Sequence, residues 1–284
     1  MLSRDESQSS ENVLQIKNVS KFYYGNGGGD AAAYNRHMVL NNVNIDVKNG
    51  EFVTIVGPSG CGKSTLLNIV AGIDRTYSGE IAIYDQPTDS FTTDVDRNRI
   101  MIFQEGALFP WLTVRENVEF GLKISKVPKD KRNNIAMHYI EMVQLSNFAD
   151  AYIHQLSGGM KQRVAIARAL ALNPEILLMD EPFAALDVST RRLLQEQLLQ
   201  IHQSTKKTVL FVTHNITEAV ALGDRVILMS PNHENIKKEF RINLRHPRQL
   251  NHPIVDAITK EILQESKDFE HNEIGDKIAT TATF

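Results

Sequence analysis

Four short apolar runs punctuate the chain, at residues 52–56, 176–179, 209–212 and 226–229, each bounded by polar or turn-forming residues. Runs of this length are what strands buried on both faces look like. Helical periodicity fills the intervals: Leu194, Leu198 and Ile201 mark one helix face, and Val164, Ala167 and Ala171 another. Strands alternating with helices predict an α/β domain with a mostly parallel sheet covered by helices. Two further strands, near residues 14–20 and 39–47, flank a glycine-rich stretch that reads as a hairpin loop. That stretch is not a dinucleotide fingerprint, because Asp30 stands where the third glycine belongs. Residues 105–155 hold no comparable buried run and show helices around 114–122 and 129–145, so a helical subdomain, approximately 105–165, is inserted into the core. The expected organisation is one domain over 13–231 and an extension over 232–267 with a modest helix at 254–263. Residues 1–12 and 268–284, polar and aperiodic, read as disordered ends.

Composition narrows the class without choosing a function. The 284 residues are 42% hydrophobic and 23% charged, ordinary for a globular protein. A net charge of -3, with lysines and arginines interspersed among acids, argues against nucleic acid as a partner. The single cysteine, Cys61, excludes an internal disulfide and fits a reducing cytosol. The polar N-terminus does not resemble a secretory signal. No apolar run reaches the ~18 residues that a membrane-spanning helix requires, so any role at a membrane needs docking onto another protein.

The chemistry begins directly after the first apolar run. Gly57, Pro58, Ser59, Gly60, Cys61, Gly62, Lys63, Ser64 and Thr65 form the pattern G-x-x-x-x-G-K-S-T between that strand and an apolar-periodic helix. Its glycines let backbone N–H groups turn inward around phosphates, and the helix start aims its positive dipole end at them. Lys63 adds a point charge for the β- and γ-phosphates, Ser64 is placed to ligate Mg²⁺, and Thr65 to donate to the α-phosphate. Cys61 reads as a residue that fits the loop. The second run ends in Asp180 and Glu181, where a parallel sheet presents its ligand-binding edge. Asp180 suits the Mg²⁺ shell and Glu181 the polarisation of an attacking water, although an acid there could equally cap a turn. Ser157, an N-cap candidate followed by Gly158 and Gly159, opens a second anion-binding helix start. One phosphate group seldom needs two such sites in one chain, so this one points to ATP held by a neighbouring subunit.

Taken in order, these residues resemble the ATP-binding cassette ATPases over roughly residues 14–229. Residues 57–65 match the Walker A loop, Gln104 the Q-loop glutamine, residues 156–160 the signature motif, and residues 176–181 the Walker B strand with its catalytic glutamate. Residues 185–187 look like the D-loop and His214 like the switch histidine. The resemblance implies a P-loop NTPase with a mostly parallel core sheet, an antiparallel β subdomain and an inserted helical subdomain. It also implies ATP and Mg²⁺ as cofactors, with Ser64, Gln104 and Asp180 around the metal. Two cassettes, identical or paralogous, would pack head to tail, Ser157, Gly158, Gly159 and Asp187 of one reaching the ATP of the other. Glu181, Gln104 and His214 would then carry hydrolysis. Tyr23 is the choice for stacking on adenine, with Tyr24 and Phe22 as alternatives. Met160, Ala184 and Asn215 depart from the family's common residues without removing a catalytic group.

Beside Gln104 lie Phe109, Pro110 and Trp111. Core packing is the plain reading of such a patch, whereas in the family this segment receives a coupling helix of the membrane permease. The strings at 103–111 and 154–164 look most like the nitrate, sulfonate and taurine importer branch. The implied setting is peripheral, on the cytoplasmic face of the membrane, with a permease and, indirectly, an extracytoplasmic substrate-binding protein. A soluble cassette of the iron–sulfur assembly type and a nucleotide kinase are the rival readings, the latter leaving residues 157–160 and His214 unexplained.

Overall fold

The computed structural model describes residues 12–24, 36–84, 86–87, 98–104, 107–231, 235–248 and 252–281. The expectations for residues 1–11 and for the loop at 25–35 lie outside them. Strands β1 (Asn12–Tyr24) and β2 (Arg36–Lys48) pair antiparallel, with register shifts along β1. Next come β3 (Phe52–Val56), α1 (Lys63–Val70), β4 (Ser78–Ile83), β5 (Gln86–Pro87) and β6 (Arg99–Ile102). The helical part carries α2 (Val114–Ile124), α3 (Lys129–Met142) and α4 (Gly158–Ala171). The chain then runs through β7 (Ile176–Asp180), α5 (Val188–Thr205), β8 (Thr208–Val212), α6 (Ile216–Leu222), β9 (Arg225–Met229), β10 (Ile236–Arg241) and α7 (Pro253–Thr281).

Two sheets result. One is antiparallel, in the order β2-β1-β4-β5; the other is ordered β10-β9-β3-β8-β7-β6, parallel except for β10. All four apolar runs became its interior strands. Helix α1 lies between the sheets: Leu66, Leu67, Ile69 and Val70 pack with Leu14, Ile16 and Ile45 of one and Ile55, Leu178 and Leu210 of the other. Because alternate strand residues face opposite sides, Phe52, Met179 and Phe211 join the other core, with Val118 of α2, Ile140 of α3, Ala167 of α4 and Leu198 of α5. Each fully buried Leu, Ile or Phe contributes about 1.5–3 kcal/mol.

Several elements differ from the sequence expectation. The last six of the 14 residues of α4 lie beyond residue 165 and pack against the α/β core, so the helical subdomain shares that core. The terminal helix α7 runs to Thr281, past the expected helix at 254–263 and into the expected tail from 268. No proline follows Pro253 to stop it. Strands β4, β6 and β10 escaped the sequence reading because they are short or alternate with charged residues, as in the burial-alternating β10.

Candidate functional site

The central strands bring four loops to one edge of the sheet. Ile55 of β3 pairs with Val212 of β8, Val212 with Asp180 of β7, and Met179 with Ile102 of β6, all in parallel register. The chain therefore delivers Gly57, His214, Glu181 and Gln104 at nearly one level, outside the carboxyl ends of the strands, where open α/β sheets hold their ligands.

Gly57 leaves β3, and the exposed arc Pro58, Ser59 and Gly60 leads to Gly62, the N-cap of α1. Gly62 sits at φ 101°, in the left-handed region that a side chain disfavours, and a Cβ there would come 2.7 Å from Leu40 Cδ2. The N-cap makes no side-chain hydrogen bond to the helix, which leaves the first-turn N–H groups to an anion. Lys63, 6% exposed, donates through Nζ to the carbonyls of Gly57 (2.9 Å) and Pro58 (2.8 Å). Cys61 is buried beneath the loop and burial pushes its thiol pKa up, so it packs and does not react. Thr65 is half-buried in the first turn of α1.

Ser64 Oγ donates to Asp180 Oδ1 at 3.0 Å and thereby joins the phosphate loop to the end of β7. Burial raises the Asp180 pKa; the Ser64 hydrogen bond opposes that, nearby Glu181 adds to it, and Lys63 opposes it. A hydroxyl and a carboxylate at hydrogen-bond distance, all oxygen, are the donor set that Mg²⁺ takes alongside phosphate oxygens, so these residues fit the ion. Glu181 adopts φ 43°, with its N–H bonded to the Val212 carbonyl. Its Oε2 lies 2.9 Å from His214 Nδ1, and the His214 side chain is 61% exposed. Gln104 is exposed two residues beyond β6.

The signature segment forms a second edge. Ser157 Oγ accepts from Met160 N–H at 3.3 Å, capping α4 as its sequence promised. Gly159 has a further reason to be glycine: a Cβ there would stand 2.5 Å from Thr190 Cγ2 on α5. Asp187 caps α5: it accepts the Ser189 hydroxyl (2.5 Å) and the N–H groups of Ser189 (3.1 Å) and Thr190 (3.0 Å), and these hydrogen bonds, the Ser189 hydroxyl above all, hold its carboxyl well below the usual range. Met160 packs, half-buried, against the helical core, which accounts for a thioether there. Tyr23 is half-exposed, with its hydroxyl 3.3 Å from Asp74 Oδ2 and Lys21 Nζ 4.8 Å above its ring; Tyr24 is more exposed.

The aromatic patch divides in two. Phe109 is half-buried, 4.3 Å from the Phe120 ring centroid and 5.7 Å from that of Trp111, whereas Pro110 and Trp111 face solvent. Two residues missed in the sequence hold this segment. Asn117, fully buried, accepts from Phe109 N–H and donates to the carbonyls of Phe109, Leu112 and Thr113. Arg168 of α4 donates to the Ala107 carbonyl at 2.8 Å and lies 5.6 Å over the Phe109 ring; burial lowers its pKa. Asn117 had a readable signal, a lone amide on the apolar stripe of Val114, Val118 and Leu122.

The family model for ABC transporters matches residues 40–184. An uncharacterized ABC transporter ATP-binding protein of Methanocaldococcus jannaschii is 48% identical over 235 residues, 83% of this chain and 84% of that protein. The aliphatic sulfonates import ATP-binding protein SsuB of Bacillus anthracis is 43% identical over 260 residues, 91% of this chain and 96% of its own. The nitrate import ATP-binding protein NrtD of Synechocystis is 45% identical over 231 residues, 81% of this chain and 83% of its own. Among solved structures, a dimeric ATP-binding cassette in a post-hydrolysis state bound to ADP and Pi is similar with a TM-score of 0.70 and 37% identity, covering 82% of this chain and 100% of that one.

Proposed function

The chain belongs to the ABC transporter family and is an ATPase, and from that premise we propose that it is the motor subunit of an importer for a small solute, an anion of the sulfonate, taurine and nitrate class. The observation that carries the hydrolytic part is the 3.0 Å contact between Ser64 and Asp180, with Glu181 the next residue along. Likeness to SsuB over 91% of the chain supports the import part.

ATP lays its phosphates over the N-terminus of α1, where N–H groups of the glycine loop and of the helix's first turn, Pro58 having none, donate to them. Lys63 exchanges the carbonyls of Gly57 and Pro58 for the β- and γ-phosphates. Ser64, Asp180 and Gln104 would hold Mg²⁺, which would supply neutralisation of phosphate charge there. Glu181 orients a water against the γ-phosphorus; the new P–O bond forms as the bond to the bridging oxygen breaks and ADP leaves. His214, 2.9 Å from Glu181, contacts the γ-phosphate, and Tyr23 stacks on adenine. A second cassette, a copy or a close paralogue, supplies Ser157, Gly158, Gly159 and Asp187 to the same ATP, so closure of the pair precedes hydrolysis. Phe109, Pro110 and Trp111 receive the permease, which takes solute from an extracytoplasmic binding protein. Among the described residues no helix is long and apolar enough to cross a membrane, and the permease holds the chain at the cytoplasmic face.

Glu181→Gln tests the site: with ATP the variant should elute as a dimer and lose roughly 10² to 10⁴ in turnover. Unchanged turnover would defeat the Glu181 role. Recovery of a tagged chain from detergent extracts with soluble proteins alone, and no hydrophobic permease, would sink the importer reading.

A further inference from the structure

The residues on either side of His214 are tied into a hydrogen-bonded ring that closes on the buried Glu218. Thr213, 3% exposed, donates its hydroxyl proton to Glu218 Oε2. Asn215 donates its N–H to Thr213 Oγ1 at 3.1 Å, and Asn215 Oδ1 accepts the Glu218 N–H at 3.1 Å, capping α6. An acid at this position of a capping box reaches back to the N-cap N–H. Here the Thr213 hydroxyl takes that place, and Glu218 turns its second oxygen outward. Oε1 accepts from Gln195 Nε2 of α5 at 2.8 Å. A carboxylate only 6% exposed costs free energy to bury unless its lone pairs are met, and here the donors come from the strand end before His214 and from a helix begun by Asp187. Capping alone does not call for the contact to α5.

We propose that Glu218 is a positioning residue for hydrolysis, clamping the turn that carries His214 and tying it to α5, so that His214 meets the γ-phosphate in the geometry set by the helix that Asp187 begins. This rests on the reading of His214 given above. His214 itself is mostly exposed, with its ring beside Glu181, so its aim depends on the backbone of residues 213–215. The clamp fixes that backbone from both sides.

Steady-state ATPase kinetics on the purified full chain test it, with melting curves for every variant. Glu218→Ala should lower kcat roughly 10- to 100-fold, the scale expected when a reacting group is misplaced by about 1 Å, with the KM for ATP little changed. Thr213→Val, which keeps the β-branched shape and deletes the hydroxyl, should do the same and serves if Glu218→Ala fails to fold. Glu218→Gln should recover most of the rate, because its amide oxygen still accepts from Thr213 and its NH₂ meets a flipped Gln195 amide. Combined with His214→Ala, Glu218→Ala should cost nothing further, since residues acting as one unit are not additive. A multiplicative loss in the double variant would overturn the clamp, as would full turnover in Glu218→Ala beside a slow His214→Ala. Wild-type turnover in His214→Ala would instead remove the switch reading and the clamp with it.

Discussion

Replacing Gly159 with alanine puts one methyl group into the seam between α4 and α5. Its nearest neighbour would be Thr190 Cγ2 at 2.5 Å, with Leu194 Cδ1 at an ordinary 3.8 Å. Two carbons pack best at about 3.5–4.0 Å, so the methyl intrudes by roughly 1 Å. Thr190 cannot swing aside cheaply, because a β-branched side chain in a helix has few χ1 wells, and its N–H is held by Asp187. Overpacking of this kind costs about 1–3 kcal/mol. Urea unfolding of Gly159→Ala should show that loss. Thr190→Ser removes the offending methyl at a cost of at most about 0.8 kcal/mol, so the double variant should recover most of the stability. Had Gly159 been kept only to bare its N–H to a neighbour's phosphate, the single variant would unfold like the wild type and lose only activity. Full stability in Gly159→Ala, or no relief from Thr190→Ser, would refute the packing argument.

Two further outcomes follow from buried groups. Burial lowers the pKa of His202, whose Nε2 lies 3.1 Å from the Gly50 carbonyl, and of His246, 3.0 Å from the Leu222 carbonyl. Below the ordinary value of 6.5 the unfolded chain takes up these protons first, so the stability present above that pH falls as pH drops. The urea midpoint should decline between about pH 7.5 and about pH 5.5, and a flat profile would contradict the burial of both rings. Asn117→Leu keeps the number of side-chain heavy atoms but orphans the Phe109 N–H, which should cost about 1–3 kcal/mol in urea unfolding and speed proteolysis near residues 107–113; stability and cleavage unchanged from wild type would show that the amide is dispensable.

The residues legible in the sequence are those whose chemistry is local. The glycine loop after β3, the acids at the end of β7 and the Ser157 cap each sit within a few residues of the element that positions them, so pattern and spacing sufficed to place them. The interior strands were legible because a parallel strand buried on both faces is apolar throughout. What stayed hidden depends on partners far along the chain. Gly159 looked like a residue that exposes N–H groups, and only Thr190, 31 positions later, shows why a side chain cannot stand there. Glu218 drew no reading from the sequence, because the Gln195 that meets it lies 23 positions earlier on α5. Phe109 and Trp111 read as one patch, yet Phe120 and Arg168 draw the first inward and leave the second in solvent.

That last division has an optical consequence. Trp111 is the sole tryptophan of the chain and 70% exposed, beside the Phe109 ring that Arg168 of the signature helix overlies. Intrinsic indole emission therefore comes from one side chain at the surface assigned to the permease. Its colour and its quenching by small solutes report the wetness of that surface without any attached label. The protein carries its own lamp on that face, and a permease covering it should shift the light toward the blue.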